Sequence, residues 1–140
     1  MLKLKLFSVG KTKEAWLEEA VQEYTKRLKP SLSIEYIWAK DDRQLVDLVQ
    51  KEPLVITLDP KGRLLDSHQF AEFLSKAFVQ GDSRLAMVIG GAAGLPEELR
   101  GLPLSISLSP LTFTHQIARL VLMEQIYRAF ELNRGSPYHK

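Results

Sequence analysis

Leu85-Ala86-Met87-Val88-Ile89-Gly90-Gly91-Ala92-Ala93-Gly94-Leu95 carries an unbroken apolar run straight into a glycine turn. Five apolar residues with no polar alternation suit a strand covered on both faces, as in a parallel sheet between helical layers. The glycines that follow leave main-chain N–H and C=O groups uncovered, so a ligand can lie against the backbone.

Two other segments are apolar runs or nearly so, each ending in turn residues. Pro53 opens Leu54-Val55-Ile56-Thr57-Leu58, which stops at Asp59-Pro60-Lys61-Gly62. Leu104-Ser105-Ile106-Ser107-Leu108 runs into Ser109-Pro110-Leu111-Thr112-Phe113-Thr114-His115. Further strands are read at Leu2 to Val9 and Ile34 to Trp38. Helical spacing separates them: Leu17, Val21, Tyr24 and Leu28 form one stripe, ended by Pro30. Thr12 is the expected N-cap of that helix, with Glu14 in its first turn. A short helix spans Asp41 to Gln50 with Leu45, Leu48 and Val49 inward. Another, capped by Ser67, runs to about Gln80 with Phe70, Phe73, Leu74 and Ala77 on one face. Pro96 begins a helical turn, and a long helix fills roughly Thr114 to Asn133.

Strands alternating with helices imply an α/β fold with a mostly parallel sheet and helices on both faces. The chain's 140 residues suit one domain spanning 1–140. In such sheets ligands bind beyond the carboxyl ends of the strands. The loops at 59–62, 90–95 and 109–114 are expected to project from that one edge.

On the last helix Ile117, Ala118, Val121, Leu122, Ile126, Ala129 and Leu132 cover half the circumference. Leu120, Met123, Tyr127 and Phe130 occupy much of the rest. A helix apolar nearly all round needs cover on two sides. A second subunit is the expected source of the outer cover, making a homodimer; burial under another segment of the same chain is the alternative.

The chain contains no cysteine, which excludes disulfides, zinc–thiolate sites and thiol nucleophiles. Apolar runs are strand-sized, so no membrane span is expected, and the opening reads as a strand rather than a signal peptide. A cytoplasmic protein is the resulting expectation. With 19 Lys and Arg against 17 Asp and Glu, charge alone does not demand a nucleic-acid partner. Such a partner would need concentrated basic groups, for example Lys11 and Lys13 with Arg128, Arg134 and Lys140.

Several chemistries fall away. The glycine loop matches neither the P-loop nor the Gly-x-Gly-x-x-Gly dinucleotide fingerprint. Asp59 resembles a phospho-acceptor, but Ser8-Val9-Gly10-Lys11 supplies no acidic pair for magnesium. His68, His115 and His139 have no ligand spacing, so no metal is expected. Ser107, Ser109 and Thr112 near His115 lack a nucleophile elbow and read as caps. Trp16 and Trp38 are assigned to packing.

Five stretches together are distinctive: Leu54 to Asp59; Ile89-Gly90-Gly91-x-x-Gly94-Leu95; Leu108 to Gln116; Glu124-Gln125-Ile126-Tyr127-Arg128-Ala129; and terminal Pro137-Tyr138-His139-Lys140. In order and spacing, along nearly the whole chain, the sequence resembles the bacterial large-subunit ribosomal RNA pseudouridine N3-methyltransferases of the SPOUT superfamily. Leu4 to Lys13 is similar to that family's opening. The resemblance implies a homodimer with a C-terminal trefoil knot, built by segments around 85–95 and 104–116 with the last helix threaded through. It implies S-adenosylmethionine as methyl donor, at Leu58, Gly90, Gly91, Leu108, Ser109, Pro110, Leu111, Thr112 and Phe113. The implied acceptor is N3 of a pseudouridine in 23S ribosomal RNA within the ribosome. Arg128, His115, Tyr138 and His139 are then the candidates for orienting the uracil or favouring its anion.

The tail after Gly135-Ser136-Pro137 is too polar to be held by packing, which points to closure over the nucleotide in a partner subunit's site. Arg128 has the alternative of an exposed helix charge, and His115 that of a helix cap. Two readings compete with the first: a tRNA methyltransferase of the same superfamily, and a non-catalytic RNA- or ribosome-binding module. Two departures from the family pattern stand out. Trp38 to Leu54 is shorter than usual, and Ala92-Ala93 stands where a proline, serine or acidic residue is commoner.

Overall fold

The structure, a computed structural model, describes residues 1–11 and 13–140. Thr12, the expected cap of the first helix, lies outside the described residues. Five strands, β1 (Leu2–Val9), β2 (Leu32–Ala39), β3 (Val55–Leu64), β4 (Arg84–Ile89) and β5 (Leu104–Ser107), form one sheet in the order β2-β1-β4-β3-β5. Every strand pairing is parallel. The helices are α1 (Ala15–Leu28), α2 (Asp42–Val49), α3 (Ser67–Gln80) and α4 (His115–Asn133), with a 3-10 turn at Glu97–Leu99.

The alternation of side chains along a strand sorts the core into two layers. Leu4 and Leu6 of β1, with Leu85, Met87 and Ile89 of β4, face α1, α3 and α4. Phe7 of β1, with Ala86 and Val88 of β4, faces α2 and the 3-10 turn. Strand β4 lies at the centre, and all its residues except Arg84 are buried. Its apolar run is thus the signature of cover on both sides, as the sequence suggests.

Helix α4 packs between α1 and α3. Leu122, Met123, Ile126 and Ala129 are fully covered by the chain itself. Its remaining side is mixed: half-buried Ile117 and Val121 continue into Glu124 and Arg128.

The helix ends refine the sequence reading. Asp66, not Ser67, caps α3, accepting from Gln69 N at 2.8 Å while Gln69 Oε1 accepts from Asp66 N at 2.9 Å. A carboxylate at the N-cap serves the same donors more strongly than a hydroxyl does. Glu14 occupies the N-cap position of α1 rather than its first turn. In α2, Val46 is buried inward with Leu45 and Val49, while Leu48 is only half-buried. Trp16 is not a packing residue, being 58% exposed.

The largest difference concerns 59–62. These residues are not a loop after β3 but a hump within it. Leu58 pairs with Ile106 of β5, and after the hump Arg63 pairs with Ile106 again. The strand leaves the ladder for four residues and rejoins it at the same register position. Gly62 permits this, because a Cβ there would lie 2.7 Å from Ile106 C and 2.8 Å from Ser105 C. Main chain cannot yield to a side chain at that distance. We expect Gly62→Ala to destabilise the fold by roughly 1–3 kcal/mol, as overpacked sites do. Urea titration with an unchanged midpoint would show that the β3–β5 seam tolerates the change.

Candidate functional site

Because the strands are parallel, the chain leaves β3, β4 and β5 at one rim, and there the three segments build a cleft of about 320 Å³. The hump contributes Leu58, Asp59, Pro60 and Lys61; the glycine loop contributes Gly90, Gly91, Ala92 and Gly94; the last loop contributes Leu108, Ser109, Leu111, Thr112 and Phe113. Every residue of the expected cofactor set lines this cleft except Pro110. His115, at the start of α4, lines it as well.

Each loop has a local cause. Gly94 N donates to Gly91 O at 2.9 Å, closing the glycine turn, and Gly94 holds φ +87°, a conformation open chiefly to glycine. A Cβ on Gly90 would lie 2.6 Å from both Gly94 O and Leu95 N, so that turn folds directly over Gly90. Gly91 differs: among the described residues, the nearest neighbour a Cβ there meets is Val9, at 3.5 Å or more. Its lack of a side chain is not required by the protein's own packing.

The serines do structural work. Ser107 Oγ donates to Ser109 O at 3.0 Å, and Ser109 Oγ accepts from Leu111 N at 2.9 Å. Thr114 Oγ1 accepts from Ile117 N at 3.3 Å, so Thr114 and not His115 caps α4. These hydroxyls are committed to loop geometry, which argues against a hydrolase. Asp59 Oδ1 similarly accepts from Lys61 N at 3.0 Å and fixes the hump.

His115 is therefore left to face the cleft. Burial lowers its pKa from the ordinary imidazole value, and the charge of Arg119 one turn along lowers it further. The ring is thereby kept neutral at physiological pH.

Arg119 itself was not legible as a site residue. It is 1% exposed, donates to Ser8 Oγ at 3.0 Å and to Gly10 O at 3.5 Å, and lies 4.2 Å from the centroid of the Trp38 ring. It ties α4 to the end of β1. A single cation inside the otherwise apolar Ala118 to Met123 stretch was the available signal.

Arg128, Tyr138 and His139 do not line the cleft. They form a second cluster, halfway along α4, around Glu124. Glu124 Oε2 accepts from Arg128 Nη2 at 3.1 Å and from Tyr138 Oη at 2.8 Å. Arg128 Nη1 lies 3.0 Å from His139 Nδ1, and its guanidinium carbon sits 4.9 Å from the Tyr138 ring centre. Tyr138 meets Tyr127 edge-on at 4.8 Å, and His139 meets His68 at 4.7 Å.

The polar tail is thus held by packing, contrary to the expectation from its composition. Aromatic edges and one shared carboxylate suffice. Arg128 is no exposed helix charge either, since its side chain is only 23% exposed. The signal for this pairing in the sequence is the i, i+4 spacing of Glu124 and Arg128, which marks a helix ion pair. Arg134 is likewise neutralised, by buried Glu131 at 2.6 Å. Two of the cations expected to concentrate positive charge are therefore spent on carboxylates.

Among the described residues, no cluster of three or more His, Cys, Asp or Glu side chains is placed to hold a metal ion, and no helix is long and apolar enough to cross a membrane.

Known proteins match this chain along its length. A family profile described as "Predicted SPOUT methyltransferase" matches residues 2–139. "Ribosomal RNA large subunit methyltransferase H" of Protochlamydia amoebophila is 63% identical over 140 residues, covering 100% of both chains. Proteins of the same name from Symbiobacterium thermophilum and Carboxydothermus hydrogenoformans are each 38% identical, covering 99% of this chain and 100% of theirs. Among solved structures, TrmJ from Z. mobilis superposes with a TM-score of 0.51 at 12% identity, covering 92% of this chain and 70% of that one. That likeness concerns the fold alone.

Proposed function

The chain belongs to the SPOUT methyltransferase family, and from that premise we propose that it methylates N3 of a pseudouridine in large-subunit ribosomal RNA, using S-adenosylmethionine. The relatives named as ribosomal RNA large subunit methyltransferases support the substrate class. On this reading residues 1–140 act as one domain, its C-terminal segments threaded as the family's trefoil knot, and two copies make the working enzyme in the cytoplasm.

The observation that carries the proposal is the convergence of three chain segments on one cleft with a main-chain floor. Such a cleft fits the donor. Leu58, Leu108 and Leu111 offer apolar surface for an adenine ring, and the peptide groups of the glycine and 108–113 loops can read its edge. Asp59, half-buried at the cleft wall, places a carboxylate where a cationic ligand gains from it. When bound, S-adenosylmethionine supplies a sulfonium methyl group open to in-line displacement.

The protein's task is then to present a deprotonated N3 along that line. Holding reactants in attack geometry supplies much of the acceleration. His115, neutral and facing the cleft, is placed to accept the imide proton or to orient the base through a hydrogen bond. The Arg128–Tyr138–His139 cluster does not line the cleft of its own chain; in a homodimer it closes over the nucleotide in the other subunit's site. There Arg128, its charge shared with Glu124, orients the base through its remaining N–H groups, while Tyr138 and His139 flank the uracil.

Methyl transfer from labelled S-adenosylmethionine tests the reading. Label is expected on large-subunit rRNA in ribosomes, at a pseudouridine whose N3 has become blocked. Label on tRNA only, or on no RNA, would refute it.

A pH profile tests His115 separately. Its lowered pKa means that the neutral ring persists to a lower pH than in an ordinary histidine. We expect kcat/KM to fall on the acid side below the ordinary histidine value of about 6.5. His115→Gln should remove that limb and reduce kcat by roughly 10²-fold. A variant retaining both rate and acid limb would exclude His115 from the proton's path.

A further inference from the structure

The proposed substrate is a polyanion, yet two of the cations that sequence offered for it are paired elsewhere. Arg128 is bound to Glu124 and Arg134 to Glu131. Unpaired positive charge lies instead at the rim of the sheet. Lys11 and Lys13 follow β1, Lys40 follows β2, and Lys61 sits on the hump of β3. All four are exposed, and among the described residues none forms an ion pair.

Their placement is fixed by the backbone. Gly10 N donates to Ala39 O at 3.0 Å, joining the loop after β1 to the end of β2 and so setting Lys11 and Lys40 side by side in the fold. The strand order puts the glycine loop of β4 between β1 and the hump, so Lys61 lines the cleft while Lys11, Lys13 and Lys40 continue along the rim beyond the glycine loop. The same rim carries Asp41, Asp42 and Asp59; Asp41 and Asp59 are held by accepting from Gln44 N and Lys61 N at 2.9 and 3.0 Å, and Asp42 lies in the first turn of α2. Glu14 stands at the start of α1.

Beside Lys13, in the first turn of α1, stands Trp16, 58% exposed. An exposed indole amid lysines has little to offer protein stability, but it presents a face on which a nucleobase can stack. At about 4.8 Å per strand, β2 to β3 spans about 14 Å.

We infer that Lys11, Lys13, Trp16 and Lys40 form a docking track for single-stranded RNA flanking the target nucleotide, with Lys61 at its entry to the cleft. This rests on the RNA methyltransferase reading and adds the surface that would hold the substrate's backbone. Phosphate contacts set the strand's register, and the aromatic face anchors one unpaired base.

The test compares two variants of equal charge. One carries Lys11→Gln, Lys13→Gln and Lys40→Gln. The other carries Lys26→Gln, Lys29→Gln and Lys51→Gln, all exposed and away from the rim. Binding of a fluorescein-labelled, mixed-sequence single-stranded RNA is measured by anisotropy across a salt series. Titration with S-adenosylmethionine follows on the same proteins.

For the rim variant the slope of log affinity against log salt should flatten by about two units, at ~0.7 per lysine. The control should retain the wild-type slope, and all three proteins should bind the methyl donor alike. Trp16→Ala should weaken RNA binding roughly tenfold and abolish the quenching of tryptophan fluorescence by RNA. Equal slopes in the two triple variants, or unaltered affinity in Trp16→Ala, overturn the track. Wild-type protein that binds RNA through the rim yet transfers no methyl group would instead sink the functional reading and uphold the surface.

Discussion

Gly91→Val is expected to lower affinity for S-adenosylmethionine by more than 10²-fold while leaving the protein folded. The reasoning depends on where each glycine's missing side chain would go. At Gly91, among the described residues beyond its chain neighbours, the nearest atoms to an added Cβ belong to Val9, at 3.5 Å, an ordinary contact. Loss of affinity there must come from what occupies the cleft. A hundredfold corresponds to about 2.7 kcal/mol, within reach of displacing a ligand from a main-chain floor.

Gly90→Val is the contrasting case. Its Cβ would collide with the backbone of Gly94 and Leu95, so that variant is expected to lose stability before binding can be measured. Calorimetry with the donor and thermal unfolding of both variants check the pair. A Gly91→Val protein that still binds the donor normally would mean that no ligand approaches residue 91, and the cofactor geometry proposed above would fail.

Removing Tyr138 to Lys140 is expected to reduce methyl transfer by at least 10²-fold with donor affinity unchanged. None of the three residues lines the cleft, so donor binding has no reason to suffer. Misplacing a reacting group by about an ångström costs this much in rate. Glu124→Gln supplies the finer test, since it leaves the tail in place. The Glu124 carboxylate accepts from both Arg128 and Tyr138, and neutralising it loosens the anchor that orients both. We expect kcat to fall with little change in the KM for the donor. Full activity of the truncated protein on ribosomes would remove the tail from the mechanism.

The sheet was legible because burial on both faces leaves a compositional trace that needs no partner to interpret. Strands β3 and β4 announced themselves as apolar runs and β5 as a Leu-Ser-Ile-Ser segment, all ending in turn residues, and the cleft followed from the rule for parallel sheets. The hump was not legible. Asp59-Pro60-Lys61-Gly62 has turn composition, and nothing in it tells that Arg63 returns to the same partner as Leu58. Register is a property of two segments, and only the neighbouring strand reveals it.

The same holds for the charges. Arg128 and Arg134 looked available because a linear reading does not weigh carboxylates one helical turn away. Arg119 escaped notice because its partners, Ser8 and Gly10, lie more than a hundred positions distant in the chain. The tail misled for a related reason. Its polar composition hid the aromatic edges of Tyr127 and His68 that receive it.

The detour in β3 has one more implication. The same ten residues form the inner neighbour of edge strand β5 and a wall of the cleft. Peeling β5 from the sheet would therefore unfasten that wall, so the boundary strand and the donor share a single opening equilibrium. Occupancy of the cleft should slow amide hydrogen exchange along Leu104–Ser107 as strongly as within the glycine turn, by mass action alone.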